Sequence, residues 1–324
     1  MKNFLLSLSF LLVLFSGCSN ELDIIAPEQE VMVVYGLLNV ADSVHYIKIN
    51  KGFASEDQAP IILAQDPDQL FFDSLLVTII DKANNVGIIC TPVSMDKNAG
   101  VFNNTVNYIY STQHKLTAGR NYDLRIKNLI SGKTVTATLE LVGPPVPTSP
   151  NPGTINVYPI QGGKQMSINY DADIRAAIYE IRLNFIYEEI NSQTSQVTLD
   201  TATWVIATGK FNGQKRILIR LDGQLFFDHL AATLEQKGSE ITRRGKHLEF
   251  EYWSGDKELS TFIDVYGSSS IGVVQKKTDY TNIDGGYGIF AGRNVMKITG
   301  TSLDTRLKTE LRTNAVLTPY HFVD

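Results

Sequence analysis

The stretch Val31–Asn50, VMVVYGLLNVADSVHYIKIN, decides the fold class of this chain. It contains two runs rich in β-branched and aromatic residues, Val31–Leu38 and Val44–Asn50, separated by the polar segment NVADS. Such runs favour strands, and a short polar segment between them favours a hairpin loop. In the second run apolar and polar residues alternate, which is the period of a strand with one wetter face. The sequence therefore predicts that order begins near Val31 with an antiparallel hairpin.

The same pattern continues downstream of this hairpin. A helical turn is expected within Ile61–Leu70, and further strands are predicted at Ser74–Asp81, Val86–Thr91, Val106–Thr112, Asn121–Asn128 and Thr134–Val142. About seven short strands at this spacing are typical of an antiparallel sandwich. We therefore predict an immunoglobulin-like β-sandwich domain over residues 31–143.

A proline-rich segment, GPPVPTSPNPG at Gly143–Gly153, separates this region from the rest of the chain. Its five prolines in eleven residues cannot donate to a β-ladder and favour an extended, stiff spacer. We therefore predict a linker at residues 144–153 and a second domain at residues 154–324.

The second region is also rich in strand-forming residues. Strands are predicted at Met166–Tyr170, Ala177–Tyr187, Thr203–Gly209, Arg216–Leu221, His247–Tyr252 and Val295–Thr299. Apolar residues three and four apart predict an amphipathic helix at Leu225–Leu234 that ends at Gly238, and weaker helical patterns occupy Glu258–Tyr266 and Leu303–Leu311. The predicted fold is mainly β, a sandwich followed by a β-rich domain with a helical insertion of one or two helices.

The N-terminus resembles a bacterial lipoprotein signal. Lys2 precedes a short apolar run, FLLSLSFLLVLFSGC at Phe4–Cys18, which ends in small residues directly before a cysteine. This pattern predicts a signal peptide at residues 1–17, lipidation of Cys18 and a polar tether at residues 18–30. The alternatives are an ordinary signal peptide and an uncleaved anchor, for which the run is too short. Ser19 after the cysteine favours the outer membrane, and the sequence leaves open which face.

The composition narrows the classes of partner. The net charge is −5 and the lysines are spread along the chain, so no basic stripe is available to contact phosphates. Nucleic acid is therefore not an expected partner, whereas the membrane is, through the N-terminal lipid. Cys90 is the only cysteine besides Cys18, which predicts a buried thiol and no internal disulfide in the mature chain.

No catalytic, cofactor or metal signature is present in the sequence. The five histidines lack the spacing of a zinc site, and no phosphate loop, dinucleotide fingerprint or nucleophile elbow occurs. The acidic pairs Asp66/Asp68 and Asp171/Asp173 are more typical of loops than of a glycosidase pair. A calcium site at Asp279–Asp284 is left open, because its spacing matches no EF-hand. We therefore predict no cofactor and no catalytic residue.

The most distinctive local motif is NIDGGYGIF at Asn282–Phe290. Three glycines around one tyrosine imply left-handed backbone positions or close backbone packing, with both aromatic rings filling a core or pocket. A strand follows the motif rather than a helix, so a structural turn is favoured over a phosphate-binding loop. The residues of this motif are Asn282, Gly285, Gly286, Tyr287, Gly288 and Phe290.

The motif resembles the late N-I-x-G-G-x-G-x-F block of an uncharacterised family of Bacteroidetes envelope lipoproteins with a domain of unknown function. The segments YGLLN at Tyr35–Asn39, HYIKI at His45–Ile49 and LTAGRNY at Leu116–Tyr122 fit the early pattern of that family. The resemblance implies a lipoprotein facing the periplasm or the cell surface, alongside TonB-dependent transport systems. It implies no catalytic residues.

We expect a lipid-anchored envelope protein with a binding or accessory role, acting with a TonB-dependent outer-membrane transporter or on an extracellular ligand. The alternatives are a hydrolase acting on glycans and an adhesin or structural assembly subunit. A cleft containing carboxyls of raised pKa would favour the enzyme, and a broad exposed aromatic patch would favour binding.

Overall fold

A computed structural model of the protein describes residues 31–52, 59–150, 157–213, 215–267 and 279–324. The described chain is mainly β, as predicted, with one large mixed sheet and a small three-stranded sheet. The predicted signal peptide, the tether and the lipidation site Cys18 lie outside the described residues. None of the helices in the described ranges has the length and apolar character needed to cross a membrane.

The first half of the chain contains the predicted short strands and two single-turn helices. In chain order they are β1 (Val31–Asn39), β2 (His45–Gly52), α1 (Pro60–Leu63), α2 (Pro67–Leu70), β3 (Leu75–Asp81), β4 (Val86–Ser94), β5 (Tyr108–Thr112), β6 (Asn121–Asn128) and β7 (Thr134–Glu140).

The second half contains longer strands and the predicted helices. They are β8 (Val146–Ser149), β9 (Val157–Tyr158), β10 (Gln165–Asp171), β11 (Ile178–Asn191), β12 (Val197–Lys210), β13 (Arg216–Asp222), α3 (Gln224–Thr233), β14 (Ile241–Gly255), α4 (Lys257–Gly267), β15 (Tyr287–Leu303), α5 (Thr305–Thr313), a 3-10 helix (Ala315–Tyr320) and β16 (Phe322–Val323). Helix α3 is capped by Leu234 and ends before the predicted stop at Gly238.

One sheet runs through both halves, in the order β12-β11-β14-β15-β1-β2-β5-β4-β3-β6-β7. Strands β1 and β2 form the predicted antiparallel hairpin. On its other side β1 pairs in parallel with β15, from Val33 opposite Tyr287 to Asn39 opposite Arg293. A strand from late in the sequence therefore continues the sheet of the first half.

The strands of the first half curl around a shared core. An isolated antiparallel bridge joins Thr136 on β7 to Asp284, just before β15. This bridge places β7, the last of these strands, beside the segment that leads into β15. The buried side chains of this core come from β1 to β7 and also include Ile283 and Phe290. The predicted 31–143 sandwich thus takes part of its core from the second half, and its independence as a domain stays a prediction.

A second core lies under the long strands β11, β14 and β15. Their inward-facing side chains pack against α3, α5, the 3-10 helix and the inner face of the small sheet β13-β10-β8. Phe185 on β11 contacts Phe226 on α3 edge to face, with ring centroids 5.7 Å apart. Burial of such aromatic residues dominates the energy of a core.

The proline-rich segment is not the unpaired spacer that its composition predicts. Val146–Ser149 is a strand that pairs with β10, and Pro145 and Pro147 are buried. The hydroxyls of Thr148 and Ser149 donate to backbone carbonyls of β10. β8 is an edge strand, where a missing N–H on the outer side costs no ladder hydrogen bond, so proline is tolerated. The expectation that these prolines exclude ladder pairing was therefore wrong.

Candidate functional site

The Asn282–Phe290 motif is a closed turn held by its own side chain. The side-chain amide of Asn282 donates to the carbonyl oxygen of Phe290 over 2.7 Å, and the amide N–H of Phe290 donates back to Asn282 Oδ1 over 2.9 Å. The Asn282 side chain therefore pairs with both backbone polar groups of Phe290, near the start of β15, as a neighbouring strand would.

The glycines of this motif permit close approach to β1. Gly285 and Gly288 have φ of +77° and +109°, which confirms the prediction of left-handed positions. A Cβ atom at Gly288 would collide with the carbonyl oxygen of Val34, and one at Gly286 would lie 2.7 Å from that of Met32. These glycines let β15 lie beside β1.

The two aromatic residues of the motif behave differently. The ring of Phe290 is fully buried in the first core, as predicted. Tyr287 is 54% exposed, so the expectation that it fills a core or pocket was wrong. Its partner in the register is Val33 on the outer face of β1, where Tyr35 and Leu37 are also exposed. Register partners on neighbouring strands point to the same face of a sheet, so the Tyr287 side chain shares the outer face of β1.

A cleft of about 430 Å³ lies among the strands and connections of the first half. This volume is within the range of small-molecule sites, roughly 300–1,000 Å³. Its wall is built from β2, β3, β4, β5 and the connection that contains α2. The lining residues are Ile49, Pro67, Asp68, Phe71, Phe72, Asp73, Leu75, Pro92, Val106, Tyr108 and Tyr110. We call this the aromatic cleft.

Four aromatic rings give the cleft its chemical character. Phe71 and Phe72 are half-buried, Tyr108 is 46% exposed and Tyr110 is buried. Phe71 and Tyr108 meet edge to face, with centroids 5.6 Å apart and planes at 84°. Such pairs hold each other in position, so the cleft presents fixed aromatic surface to the solvent.

The connection between β2 and β3 places the two phenylalanines. The carboxylate of Asp66 accepts from the amide N–H of Asp68 and caps α2, whose first residue is Pro67. The amide N–H of Phe71 donates to the carbonyl of Pro67 and ends the turn. Aspartate before proline is a common helix start, so this sequence fixes where the aromatic pair leaves the helix.

The loop between β4 and β5 contributes Val106 to the cleft and is tied to this connection. The amide N–H of Asn103 donates to the carbonyl of Ala64 over 2.8 Å, and its side chain donates to the carbonyl of Gln65 over 2.7 Å. Gln65 in turn donates to the carbonyl of Val101. The two loops therefore form one unit at the cleft.

Both loops expose large apolar side chains. These are Ile61, Ile62, Met95, Val101 and Phe102. Exposed apolar residues that cluster in two joined loops are typical of an interaction surface. These two joined loops therefore carry exposed apolar surface.

Two lysines stand over the phenylalanine rings. Lys48 Nζ lies 4.6 Å from the centroid of Phe71, and Lys51 Nζ lies 5.6 Å from that of Phe72. Lys48 also donates to Asn107 Oδ1 over 2.5 Å and to the carbonyl of Tyr108 over 2.8 Å. Burial and the nearby Lys97 lower the pKa of Lys48 to about 8. The pKa falls because burial removes water from the ammonium group, which disfavours its charged form.

The acidic pair Asp171/Asp173 has arginine partners. Asp171 accepts two hydrogen bonds from Arg216, over 2.7 and 2.9 Å, which hold the pKa of Asp171 below its usual value. Asp173 pairs with Arg175 over 3.4 Å. Within the described residues, no group of three or more His, Cys, Asp or Glu side chains is arranged to hold a metal ion.

The carboxyl of Asp256 has a raised pKa and does not line the aromatic cleft. Burial raises the pKa of Asp256 to about 6, against hydrogen bonds from the amides of Leu259 and Gly292 over 2.8 and 2.5 Å. Asp256 thereby caps α4 and joins it to β15. Its role in the structure is the attachment of this helix.

The other groups named from the sequence are buried in the first core. Cys90 is buried, as predicted, and burial raises its thiol pKa to about 12, so the thiolate is not formed at neutral pH. His45 is also buried. Burial lowers its pKa, which favours the neutral ring.

The aromatic cleft was not found from the sequence. Its rings come from two segments, Phe71–Phe72 and Tyr108–Tyr110, that only the pairing of β5 with β2 and β4 brings together. The signal that could have indicated it is the aromatic pair FFD directly after the Asp66–Pro67 helix start.

The chain belongs to the family described as a domain of unknown function (DUF4249), which matches residues 20–299. This confirms the predicted membership of an uncharacterised domain family. No curated protein matches the sequence. Among solved structures, the chain is similar to the C-terminal globular domain of an oligosaccharyltransferase from Pyrococcus abyssi, at 12% identity and a TM-score of 0.26. The match covers 69% of this chain and 47% of that one, so the chain spans about half the length of that structure.

Proposed function

We propose that this protein is a lipid-anchored binding protein of the bacterial outer membrane, and that the aromatic cleft is its binding site. The observation that carries the proposal is the cleft itself, which is lined by four aromatic rings. A concave site of this volume with fixed rings and a few polar groups is the usual form of a ligand site.

The apolar loops beside the cleft support an accessory role. Ile61, Ile62, Val101 and Phe102 extend the apolar surface beyond the cleft. A partner that contacts these loops would cover the cleft at the same time. The proposed arrangement is a lipoprotein that presents a bound ligand to an outer-membrane transporter of the TonB-dependent class, with Cys18 as the lipid anchor.

The ligand-binding half of the proposal is tested by what purifies with the protein. Wild type, Tyr108→Ala and Tyr46→Ala are purified from native membranes after crosslinking, and the bound molecules are identified by mass spectrometry. Tyr46 is 40% exposed on the face of β2 opposite Ile49, so it is a matched control for Tyr108. We expect at least one molecule to be retained by wild type and Tyr46→Ala and reduced about tenfold in Tyr108→Ala. Identical sets of molecules from all three proteins would contradict the proposal.

The lipid anchor is tested separately. Cys18→Ser should abolish labelling by a clickable fatty acid and release the protein from the membrane fraction, because two or three acyl chains supply the membrane affinity. Equal label in Cys18→Ser and wild type would contradict the anchor and leave the cleft proposal standing.

A further inference from the structure

The charges around the aromatic cleft indicate which class of ligand it accepts. The faces of Phe71 and Phe72 already carry ammonium groups of the chain itself, those of Lys48 and Lys51. A cationic ligand would have to approach these ammonium groups to use the same rings, and like charges repel at this range. The rings are therefore not arranged as a cage for a cation.

An anionic ligand is disfavoured by the opposite charges. The carboxylates of Asp68 and Asp73 line the cleft. The lysines already serve acceptors of the protein: Lys48 donates to Asn107 Oδ1 and to the carbonyl of Tyr108, and Lys51 donates to the carbonyl of Asp68 over 2.8 Å. The cleft thus offers carboxylate acceptors to a ligand, while its two lysines donate hydrogen bonds to the protein itself.

A purely apolar ligand is disfavoured by the same two carboxylates. It would cover Asp68 and Asp73 without donating a hydrogen bond to either of them, and desolvating an unpaired carboxylate is costly. The fitting ligand is uncharged, donates hydrogen bonds, and has an apolar face for the rings. A sugar ring combines hydroxyl donors at its edge with a face of C–H groups.

We propose that the aromatic cleft binds a neutral saccharide, with a sugar ring against Tyr108 and Phe71 and hydroxyls donating to Asp68 and Asp73. This inference rests on the proposed binding function and adds the ligand class to it. The cleft volume of about 430 Å³ accommodates a short saccharide rather than a large lipid.

The test is saturation-transfer difference NMR with defined probes. The full-length protein is held in tetraethylene glycol monooctyl ether, a detergent without a sugar headgroup. The neutral probes are maltose, cellobiose, lactose and N,N′-diacetylchitobiose. The charged probes are phenylacetate and phenyltrimethylammonium, which share an aromatic face but differ in the sign of their charge.

We expect at least one neutral disaccharide to receive saturation at its ring C–H protons. Tyr108→Ala should weaken its binding about tenfold, whereas Tyr108→Phe, which keeps the ring, and Tyr46→Ala should stay within about twofold of wild type. Asp68→Asn should weaken the same probe without lowering the melting temperature, because Asp68 is exposed and its carboxylate is not part of the helix cap.

The outcomes separate the two proposals. If only a charged probe binds, and Tyr108→Ala abolishes that binding, the saccharide inference is wrong and the binding function stands. If a disaccharide binds equally to wild type and Tyr108→Ala, the saccharide site is elsewhere and the inference is wrong. If no probe binds while the native membrane protein still retains a Tyr108-dependent molecule, the ligand class is wrong and the cleft is right. If neither experiment depends on Tyr108, both proposals are wrong.

Discussion

The Asn282–Phe290 turn and the aromatic cleft both contain aromatic residues, but they use their polar groups in opposite ways. In the turn, Asn282 and the backbone of Phe290 satisfy each other, and the ring is fully buried. In the cleft, the rings of Phe71 and Tyr108 remain partly exposed, and carboxylates line the wall. The most distinctive motif of this sequence therefore holds β15 beside β1, while the proposed site is assembled from segments without a motif.

We call the buried contacts that hold the strands and helices together, such as those of the Asn282–Phe290 turn and of Arg243, the frame. The frame and the cleft should respond differently to substitution. Changes in the frame should lower stability and leave binding by the folded fraction unchanged. Changes in the cleft should lower binding at nearly constant stability.

The largest loss of stability is expected at Arg243, which belongs to the frame of the second half. Its side chain is 1% exposed and donates to Glu189 over 2.6 and 3.0 Å and to the carbonyls of Glu235 and Tyr320 over 2.8 and 3.1 Å. Among the described residues, Arg243→Ala leaves Lys237 as the partner of Glu189, and the change should cost about 3–5 kcal/mol. Urea denaturation measures this.

The control for Arg243 is an exposed ion pair of the same type. Arg216 also binds a carboxylate through two hydrogen bonds, those to Asp171, but its side chain is largely exposed. Arg216→Ala should cost far less stability than Arg243→Ala, because water screens the exposed pair. Equal losses for the two variants would show that burial of Arg243 does not matter to the frame.

The next effect is expected at Gly288. Alanine there would force φ of +109° on an L-residue and place Cβ against the carbonyl of Val34. We expect a loss of about 3 kcal/mol or more, seen as a lower melting temperature. Gly300 is the control, since φ is +68° but the space around it is open, and alanine there should cost about 1 kcal/mol. The account of β1–β15 packing fails if both variants melt alike.

A smaller effect, dependent on pH, is expected from Asp256. Its pKa in the folded protein is about 6, above the ordinary 3.8, so the folded state holds the proton more tightly than the unfolded state. Stability from this group is therefore present below about pH 4 and is lost as the pH rises to about 6, by on the order of 2 kcal/mol.

The measurement for Asp256 is the difference in melting temperature between wild type and Asp256→Asn from pH 4 to pH 7. The variant cannot titrate, so wild type should lose stability relative to it as the pH rises. Other carboxyls with lowered pKa, such as Glu189, titrate in both proteins and cancel from the difference. A difference that is constant over this range would contradict the assignment.

The smallest effect is expected at Tyr287. Its ring is 54% exposed, so Tyr287→Ala should change the free energy of unfolding by no more than about 0.5 kcal/mol and leave the Tyr108-dependent molecule bound. Gly286→Ala should lower the free energy of unfolding, because its Cβ would lie 2.7 Å from the carbonyl of Met32. The folded fraction of this variant should still bind the molecule. A stable Tyr287→Ala protein that no longer binds would move the site to the outer face of β15.

Much of the fold could be predicted because strand periodicity is local. The alternation in β2, the runs that became β3 and β6, and the helical pattern at α3 all depend on neighbours in the sequence. The pairing of β1 with β15 could not be predicted, because more than two hundred residues separate them and parallel pairing leaves no turn signal. The edge strand at Val146–Ser149 was missed because composition does not tell which side of a strand lacks a partner.

The candidate site was less predictable than the fold. The glycine motif was visible, and its left-handed positions at Gly285 and Gly288 followed from its composition. The aromatic cleft depends on which loops meet, as in the hydrogen bonds of Asn103 to the α1–α2 connection. Such contacts between distant segments are fixed by the whole fold, so no local pattern carries them.

A photo-crosslinking residue placed in the cleft in living cells tests whether the cleft binds a ligand. Benzoylphenylalanine replaces Tyr108 in one strain and Tyr46 in another, and irradiation is followed by mass spectrometry of the adducts. Both side chains are exposed to a similar fraction, 46% and 40%, so accessibility alone predicts equal labelling. The binding account predicts a defined adduct from position 108 that is absent from position 46. The same adducts from both positions, or none from position 108, would contradict it.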